Sequence, residues 1–358
     1  MRREGIDVLL VGSDGQHHHR GYLRYLSSWR TPSWEDYLIF PLDGEPTFFT
    51  HYSLRARWAR EVFGIKDARS PPVGARHDTY VPHIVEEIEK HKPTTVGLAS
   101  MQTLSGEFYA ALARQLTSAK ITEASNVIDE VRLIKSPEEL ELYRKSAKVA
   151  DIAYRTLLES IEPGRKEYEV IADVEQAAIQ NGAEEVFYMM GSGPTPELKY
   201  NGMLDRRLKR GDLIVFTLEM PGPGGYWVEL SRTVSIGQPR KSVSEAHDTI
   251  ERAEKRAIEA LRPGRTVSDV AKSMLEPIKS AGYEMMGQAL GHSAGLDIFE
   301  KPLIQPDEKT VFKPGMVFSV HPHALTKEGA GCIVCNNYAV TDGGAQKLFK
   351  ASSELAVV

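Results

Sequence analysis

The chain has 358 residues, 41% of them hydrophobic, which suits a globular protein too long for one ordinary core, so two domains are expected. Its 44 basic and 49 acidic residues are interspersed, which argues against a basic surface for nucleic acid or a polybasic membrane anchor. The longest apolar runs are four or five residues, far short of a bilayer span, and no apolar leader opens the chain, so a cytoplasmic protein is expected.

Ile6 to Val11 is an apolar run suited to a buried strand, and Leu38 to Phe40, Pro46 to Thr50 and Thr95 to Leu98 are further strands. Ser53 to Val62 and Tyr80 to Lys90 have helical patterns between them. Strands alternating with helices predict an α/β layer domain over residues 1–130. The tract His17-His18-His19 is expected to be a polar loop, because no carboxylate or cysteine cluster accompanies it to share a metal.

A second domain is expected over residues 131–358. Ser136-Pro137-Glu138-Glu139 is a helix start, with Ser as N-cap, Pro at the first helical position and Glu placed to close a capping box. Leu140, Tyr143, Ala147, Ala150, Ala153 and Leu157 then share one helix face. Beyond it the chain repeats itself. Glu162-Pro163-Gly164-Arg165 recurs as Arg262-Pro263-Gly264-Arg265, Val170 answers Val270 and Gly182 answers Gly282, all at one offset of 100. Gly211 to Thr217 likewise answers Gly315 to His321, and Val228-Glu229 answers Val334-Cys335. Two like halves, each with two helices and a hairpin, predict an α+β domain with a pseudo-two-fold axis. By that symmetry Thr217 and Glu229 meet His321 and Cys335 at the axis.

The hairpin from Gly211 to Thr233 holds the candidate acids. Leu213 to Phe216 is of strand type, Pro221 to Gly225 breaks the chain, and Tyr226 to Val234 returns. Thr217 and Glu219, two apart, point the same way, and Glu229 faces them if the register allows. Carboxylates in so apolar a hairpin are costly to bury without a partner, which favours chemistry over packing; the alternative is an edge hairpin whose glutamates face solvent. The only two cysteines, Cys332 and Cys335, lie on a strand-like run where residues three apart face opposite ways, so no redox pair is expected.

Gly291-His292-Ser293-Ala294-Gly295-Leu296-Asp297 lies between the halves. Together with the Ser136 helix start, Gly211-Asp212, Gly225-Tyr226, Ser231-Arg232-Thr233, Pro314-Gly315-Met316 and Val340-Thr341-Asp342-Gly343, it makes the chain resemble the creatinase, prolidase and aminopeptidase P superfamily. Tyr22 to Leu26 resembles the segment after the first strand of that family's N-terminal domain. The resemblance implies an α/β N-terminal domain, a pita-bread catalytic domain and a homodimer in which residues of the N-terminal domain help to close the partner's pocket; Arg20, Trp29 and Arg30 are candidates for that role, the alternative being ordinary surface residues. The metallopeptidases of that superfamily hold a dinuclear metal centre with two aspartates, a histidine and two glutamates. At the matching positions this chain has Thr217 or Glu219, Glu229, His292, His321 and Cys335, so only His292 is unchanged, both bridging carboxylates are lost, and an ordinary dinuclear prolidase is not expected. Tyr200 and Phe299 stand where the family has two further histidines.

Three readings follow. In the first, a creatinase-like hydrolase cleaves a C–N bond of a small nitrogen-containing substrate without metal or other cofactor. His321 or His292 is then the general base, Glu219 and Glu229 orient water or a cationic nitrogen, and Tyr200 or Arg232 stabilises negative charge. Tyr226, His323, Cys335 and Thr217 are candidate substrate contacts. In the second, Glu219, Glu229, His292 and His321 hold one zinc, manganese or iron ion in a hydrolase or lyase. The third is a non-catalytic binding protein on the same fold. Gly291-His292-Ser293-Ala294-Gly295 also matches a serine-nucleophile elbow, but Pro302 and Pro306 oppose the helix that should follow it.

Overall fold

The computed structural model describes residues 1–16, 20–32, 34–71, 77–197, 205–287 and 289–358. His17-His18-His19 and Tyr200 lie outside the described residues. The chain divides into two compact units, Met1–Arg132 and Leu133–Val358.

The first unit follows the order β1 (Val8–Ser13), α1 (Gly21–Ser27), β2 (Asp36–Pro41), β3 (Thr47–Phe49), α2 (Ser53–Phe63), β4 (Asp67–Arg69), α3 (His77–Lys90), β5 (Thr95–Ala99), α4 (Gly106–Gln115), β6 (Lys120–Glu123) and α5 (Ser125–Arg132). Its strands form one mixed sheet in the order β4-β3-β2-β1-β5-β6. Alternation along β1 sends Val8 and Leu10 into one apolar cluster and Leu9 and Val11 into another, so both faces of the sheet are covered. Trp29 is fully buried in the second cluster, packed on Phe48 and Phe63, with its indole N–H donating to Asp36 Oδ2 at 2.8 Å. This corrects the expectation that Trp29 helps to close a partner's pocket: it is a core residue.

The second unit contains α6 (Pro137–Ser160), α7 (Glu167–Gln180), β7 (Phe187–Gly193), β8 (Leu213–Pro221), β9 (Trp227–Ser235), α8 (Lys241–Ala260), α9 (Val267–Ser280), β10 (Gly291–Ser293), β11 (Glu300–Leu303), β12 (Val317–Val320), β13 (His323–Leu325), β14 (Gly331–Ile333), β15 (Asn336–Thr341), β16 (Gly344–Lys347) and β17 (Ala356–Val357). The Ser136 cap forms as expected: Ser136 Oγ accepts from the Glu139 N–H at 3.3 Å, and Glu139 Oε2 accepts from the Ser136 N–H at 2.6 Å. Helix ends in the two halves fall at the offset read from the sequence, Ser160 with Ala260, Glu167 with Val267 and Gln180 with Ser280.

One half contributes the sheet β17-β9-β8-β7 and the other the sheet β11-β10-β12-β15-β16, with β13 and β14 as a separate pair. β8 is longer than the run Leu213 to Phe216 suggested, because Pro221 occupies its last position, where a ladder tolerates a missing N–H. At the hairpin tip Gly224 and Gly225 take φ of 86° and 83°, a conformation that favours glycine. A Cβ on neighbouring Gly222 would meet Ser146 Cα at 2.6 Å, so this glycine lets the hairpin lie against α6.

Candidate active site

The β8/β9 register pairs Glu219 directly with Glu229, and Thr217 with Ser231. Directly opposed residues share a face, so both glutamates point the same way, and each is only 4% exposed. The edge-hairpin alternative, with glutamates in water, does not hold. The two sheets meet beside this pair, where Ser231 N donates to Cys335 O at 3.3 Å and Cys335 N to Ser231 O at 3.0 Å.

Across that seam β10 brings His292, and the residue after β12 is His321. Nε2 of His321 lies 2.8 Å from Glu229 Oε2, and Nε2 of His292 lies 3.3 Å from the same oxygen. These are ion-pair distances, yet among the described residues none of the three atoms makes a hydrogen bond of acceptable direction, although all are shut off from solvent. The Nδ1 of His292 is 2.9 Å from the carbonyl of Ser293, which can only accept. The ring proton therefore sits on Nδ1 and the Nε2 lone pair is free to face the carboxylate.

The charges follow from the setting. Burial disfavours an ionised Glu229, but the adjoining His321 imidazole outweighs it and holds the carboxyl well below the usual range. Burial, then the charge on Glu229, push Glu219 well above its ordinary value, so Glu219 keeps its proton. Burial lowers His292 as well, which keeps it neutral. A neutral carboxylic acid thus stands opposite a carboxylate flanked by two imidazoles.

Glu229, His292 and His321 each offer a ligand atom, all within 4.8 Å of one another. Two imidazole nitrogens and one carboxylate oxygen, buried and without hydrogen bonds, fit one divalent ion such as zinc, manganese or iron. The other family positions fit a second ion poorly. Thr217 Oγ1 pairs with Ser231 Oγ at 2.8 Å. Cys335 directs its thiol at the Glu229 carbonyl at 3.5 Å, and burial first, then Glu229, push that thiol far up in pKa, so it stays protonated.

Residues 141–342 match the model of metallopeptidase family M24, and residues 1–134 match that of the creatinase/prolidase N-terminal domain. This chain belongs to metallopeptidase family M24. It is 32% identical over 273 residues to an Xaa-Pro dipeptidase of Pyrococcus furiosus, covering 75% of this chain and 78% of that protein. An Xaa-Pro dipeptidase of Pyrococcus horikoshii is 29% identical over 290 residues, 78% of this chain and 82% of the relative. The crystal structure of the prolidase from Pyrococcus horikoshii OT3 superposes with a TM-score of 0.86 at 26% identity, covering 99% of this chain and 97% of that one. The N-terminal domain and pita-bread architecture expected from the sequence are those of this family.

Several residues expected in the M24 pocket have other places. Arg232 lies three positions from Glu229 on β9, on the opposite face. Its guanidinium is buried and donates to the carbonyls of Ser352, Ser231, Cys335 and Ala351 and to Asn336 Oδ1. It therefore ties strands together, which corrects its assignment as a substrate contact. Tyr226 donates from its hydroxyl to Glu139 Oε1 at 2.5 Å and packs on Tyr143, both on α6. His323 bonds through Nδ1 to the His321 carbonyl at 2.8 Å, burial lowers it to about 4, and it stands outside the cluster of three. Around the elbow motif, Gly291–Ser293 is a strand followed by bends and then β11, with no helix, so the nucleophile geometry is missing.

The sequence reading missed the amide that joins the ligand strands. Asn337 Oδ1 accepts from the Glu229 N–H at 2.7 Å, and Asn337 Nδ2 donates to Ser319 Oγ at 2.8 Å. Ser319 pairs with His292 on one side and with Asn337 on the other. One side chain therefore connects the backbone of Glu229 to the strand that stands between His292 and β15. Phe299 was also passed over as a functional residue. Its ring lies 4.0 Å from that of His292, centroid to centroid, and is 41% exposed, so an apolar face borders the imidazole and reaches water.

Proposed function

We propose that this chain is a peptidase-like hydrolase that cleaves the amide bond of a short peptide with one divalent ion held by Glu229, His292 and His321. The observation that carries the reading is the convergence of three buried ligand atoms that satisfy no hydrogen bond among the described residues. Relatives named as Xaa-Pro dipeptidases support a peptide substrate, and they lend nothing to a creatine-like one or to metal-free chemistry. The proposal includes a cytoplasmic homodimer, as the family resemblance implies.

When bound, the ion supplies Lewis acidity and lowers the pKa of a water molecule. The chain's own groups do the rest. Glu229 provides the fixed negative charge, and His292 presents a bare Nε2 because its Nδ1–H is tied to Ser293. Glu219 keeps a proton on the same face as Glu229 and is the group able to donate it to a leaving amide nitrogen. The exposed Phe299 ring offers an apolar surface beside His292 for a substrate side chain or a prolyl ring.

Metal analysis of the purified protein, paired with assays on Xaa-Pro and non-prolyl dipeptides before and after chelation, tests the reading. One ion per chain is expected, with turnover lost on chelation and restored by adding back a divalent metal. Undiminished turnover after complete metal removal would overturn it and leave His321, 2.8 Å from Glu229, as a general base.

A further inference from the structure

The outer helices of the two halves share a frame but differ in charge. Between α8 and α9 lies an open groove of about 410 Å³ in which Arg256, Arg262, Arg265 and Lys272 face Glu259 and Glu276. A neighbouring hollow of about 620 Å³ shares Arg256, Glu259 and Glu276 and adds Arg252 and Lys255. This concentration of cations occurs on a chain with formal net charge −5.

The first half serves as an internal control. At the offset of 100, Arg256 answers Thr156, Arg262 answers Glu162, Lys272 answers Ala172 and Ser273 answers Asp173. Each of these changes makes the groove of the second half more positive; among the residues that line it only Gln176 to Glu276 runs the other way. Arginine is common to both halves at the Pro-Gly-Arg turn, but its surroundings differ. Arg165 is clamped, donating to Asp173 Oδ2 at 2.7 Å and to the carbonyls of Ser160 and Glu169. Arg265 has Ser273 in place of that aspartate and keeps only a 3.4 Å approach to Asp269. Among the described residues Lys255, Arg262 and Lys272 make no ion pair, and the Arg256–Glu276 pair is 3.7 Å long with both side chains more than half exposed. Helix packing does not demand these differences, since the same frame holds in the first half without them.

We propose that the α8/α9 groove binds a small anion bearing two or more linked phosphates. Guanidinium forks match phosphate oxygens in pairs, lysine adds a compact charge, and the volume falls within the ~300–1,000 Å³ of ordinary ligand sites. The loosely held Glu276 is the anion that such a ligand replaces as the partner of Arg256.

Isothermal titration calorimetry with inorganic triphosphate and, separately, a nucleoside triphosphate tests this on the full chain. Saturable binding of both is expected, equal if the phosphate chain suffices and stronger for the nucleotide if the neighbouring hollow holds its base. The combined variant Arg262→Glu with Lys272→Glu should weaken binding by about tenfold or more with unchanged dipeptidase turnover. Ser273→Asp, which restores the clamp found around Arg165, should weaken it in the same direction without reversing a cation. Absence of saturable binding, or binding equal in wild type and variants, as would follow from chelation of a metal at Glu229, overturns the proposal.

Discussion

The two halves of the C-terminal unit share their helix boundaries and hairpin order but carry opposite chemistry. The first half brings acids and hydroxyls, Glu219, Glu229, Thr217 and Ser231, on one face of β8 and β9. The second brings imidazoles and a thiol, His292 on β10, His321 just after β12 and Cys335 just before β15, where an isolated bridge joins it to Ser231. Duplication of a backbone supplies two surfaces that meet. The site arises because the residues on those surfaces have ceased to be alike.

The largest expected effect comes from making the halves more alike at the seam. His321→Glu, which introduces the family residue, replaces an imidazole nitrogen with a second carboxylate beside Glu229. Turnover should fall by about 10²–10⁴-fold, measured as kcat/KM on the best dipeptide. A variant with wild-type turnover would remove His321 from the site. A smaller effect is expected from cutting the amide link between the halves. Asn337→Leu leaves the Glu229 N–H without its acceptor and should reduce metal affinity by about 10–100-fold, read by competition with a chelating dye. Asn337→Asp keeps an acceptor for Glu229 N and should retain most of the affinity; equal losses in both variants would show that the link does not position Glu229.

Much of this architecture is legible in the sequence, and for identifiable reasons. A gapless offset of 100 survives because helix ends and Pro-Gly turns tolerate no insertion without shifting a buried face. The Ser136 cap is a local signal, read from four consecutive residues. The site is only partly local. Glu229, His292 and His321 can be nominated from the repeat, yet their convergence on one oxygen depends on the register of two sheets. The alternation rule already separates Arg232 from Glu229, so its true place was available from spacing alone. No neighbouring residues announce Asn337, because its partners Ser319 and Glu229 reach it across β12 and across the sheet seam. A tryptophan in a connecting segment, such as Trp29, gives no sign of burial until Asp36 and Phe48 are seen around it.

The smallest effect sharpens the same comparison away from the site. His247 on α8 answers Ala147 on α6. It is buried and its Nε2 has no hydrogen-bond partner among the described residues; although its Nδ1 lies 3.0 Å from Glu251 Oε1, burial, then Arg232, lower its pKa to about 4 from the ordinary 6.5. Below 6.5 the unfolded chain takes up a proton that the native histidine refuses, so stability is lost as pH falls from about 6.5 towards about 4. Between about pH 7 and about pH 5 this costs about 2 kcal/mol in the wild type. His247→Ala should remove that part of the slope in urea unfolding curves, whatever its effect on absolute stability. An unchanged slope would place the proton uptake elsewhere.

The connection between β9 and α8, through Gly237, lies on the single covalent path from the strand that carries Glu229 to His292 and His321. A chain nicked there yields one piece with Glu229 and another with His292 and His321, and neither holds all three of the proposed ligands. Under the proposed function, turnover by such a mixture would count reunited pairs.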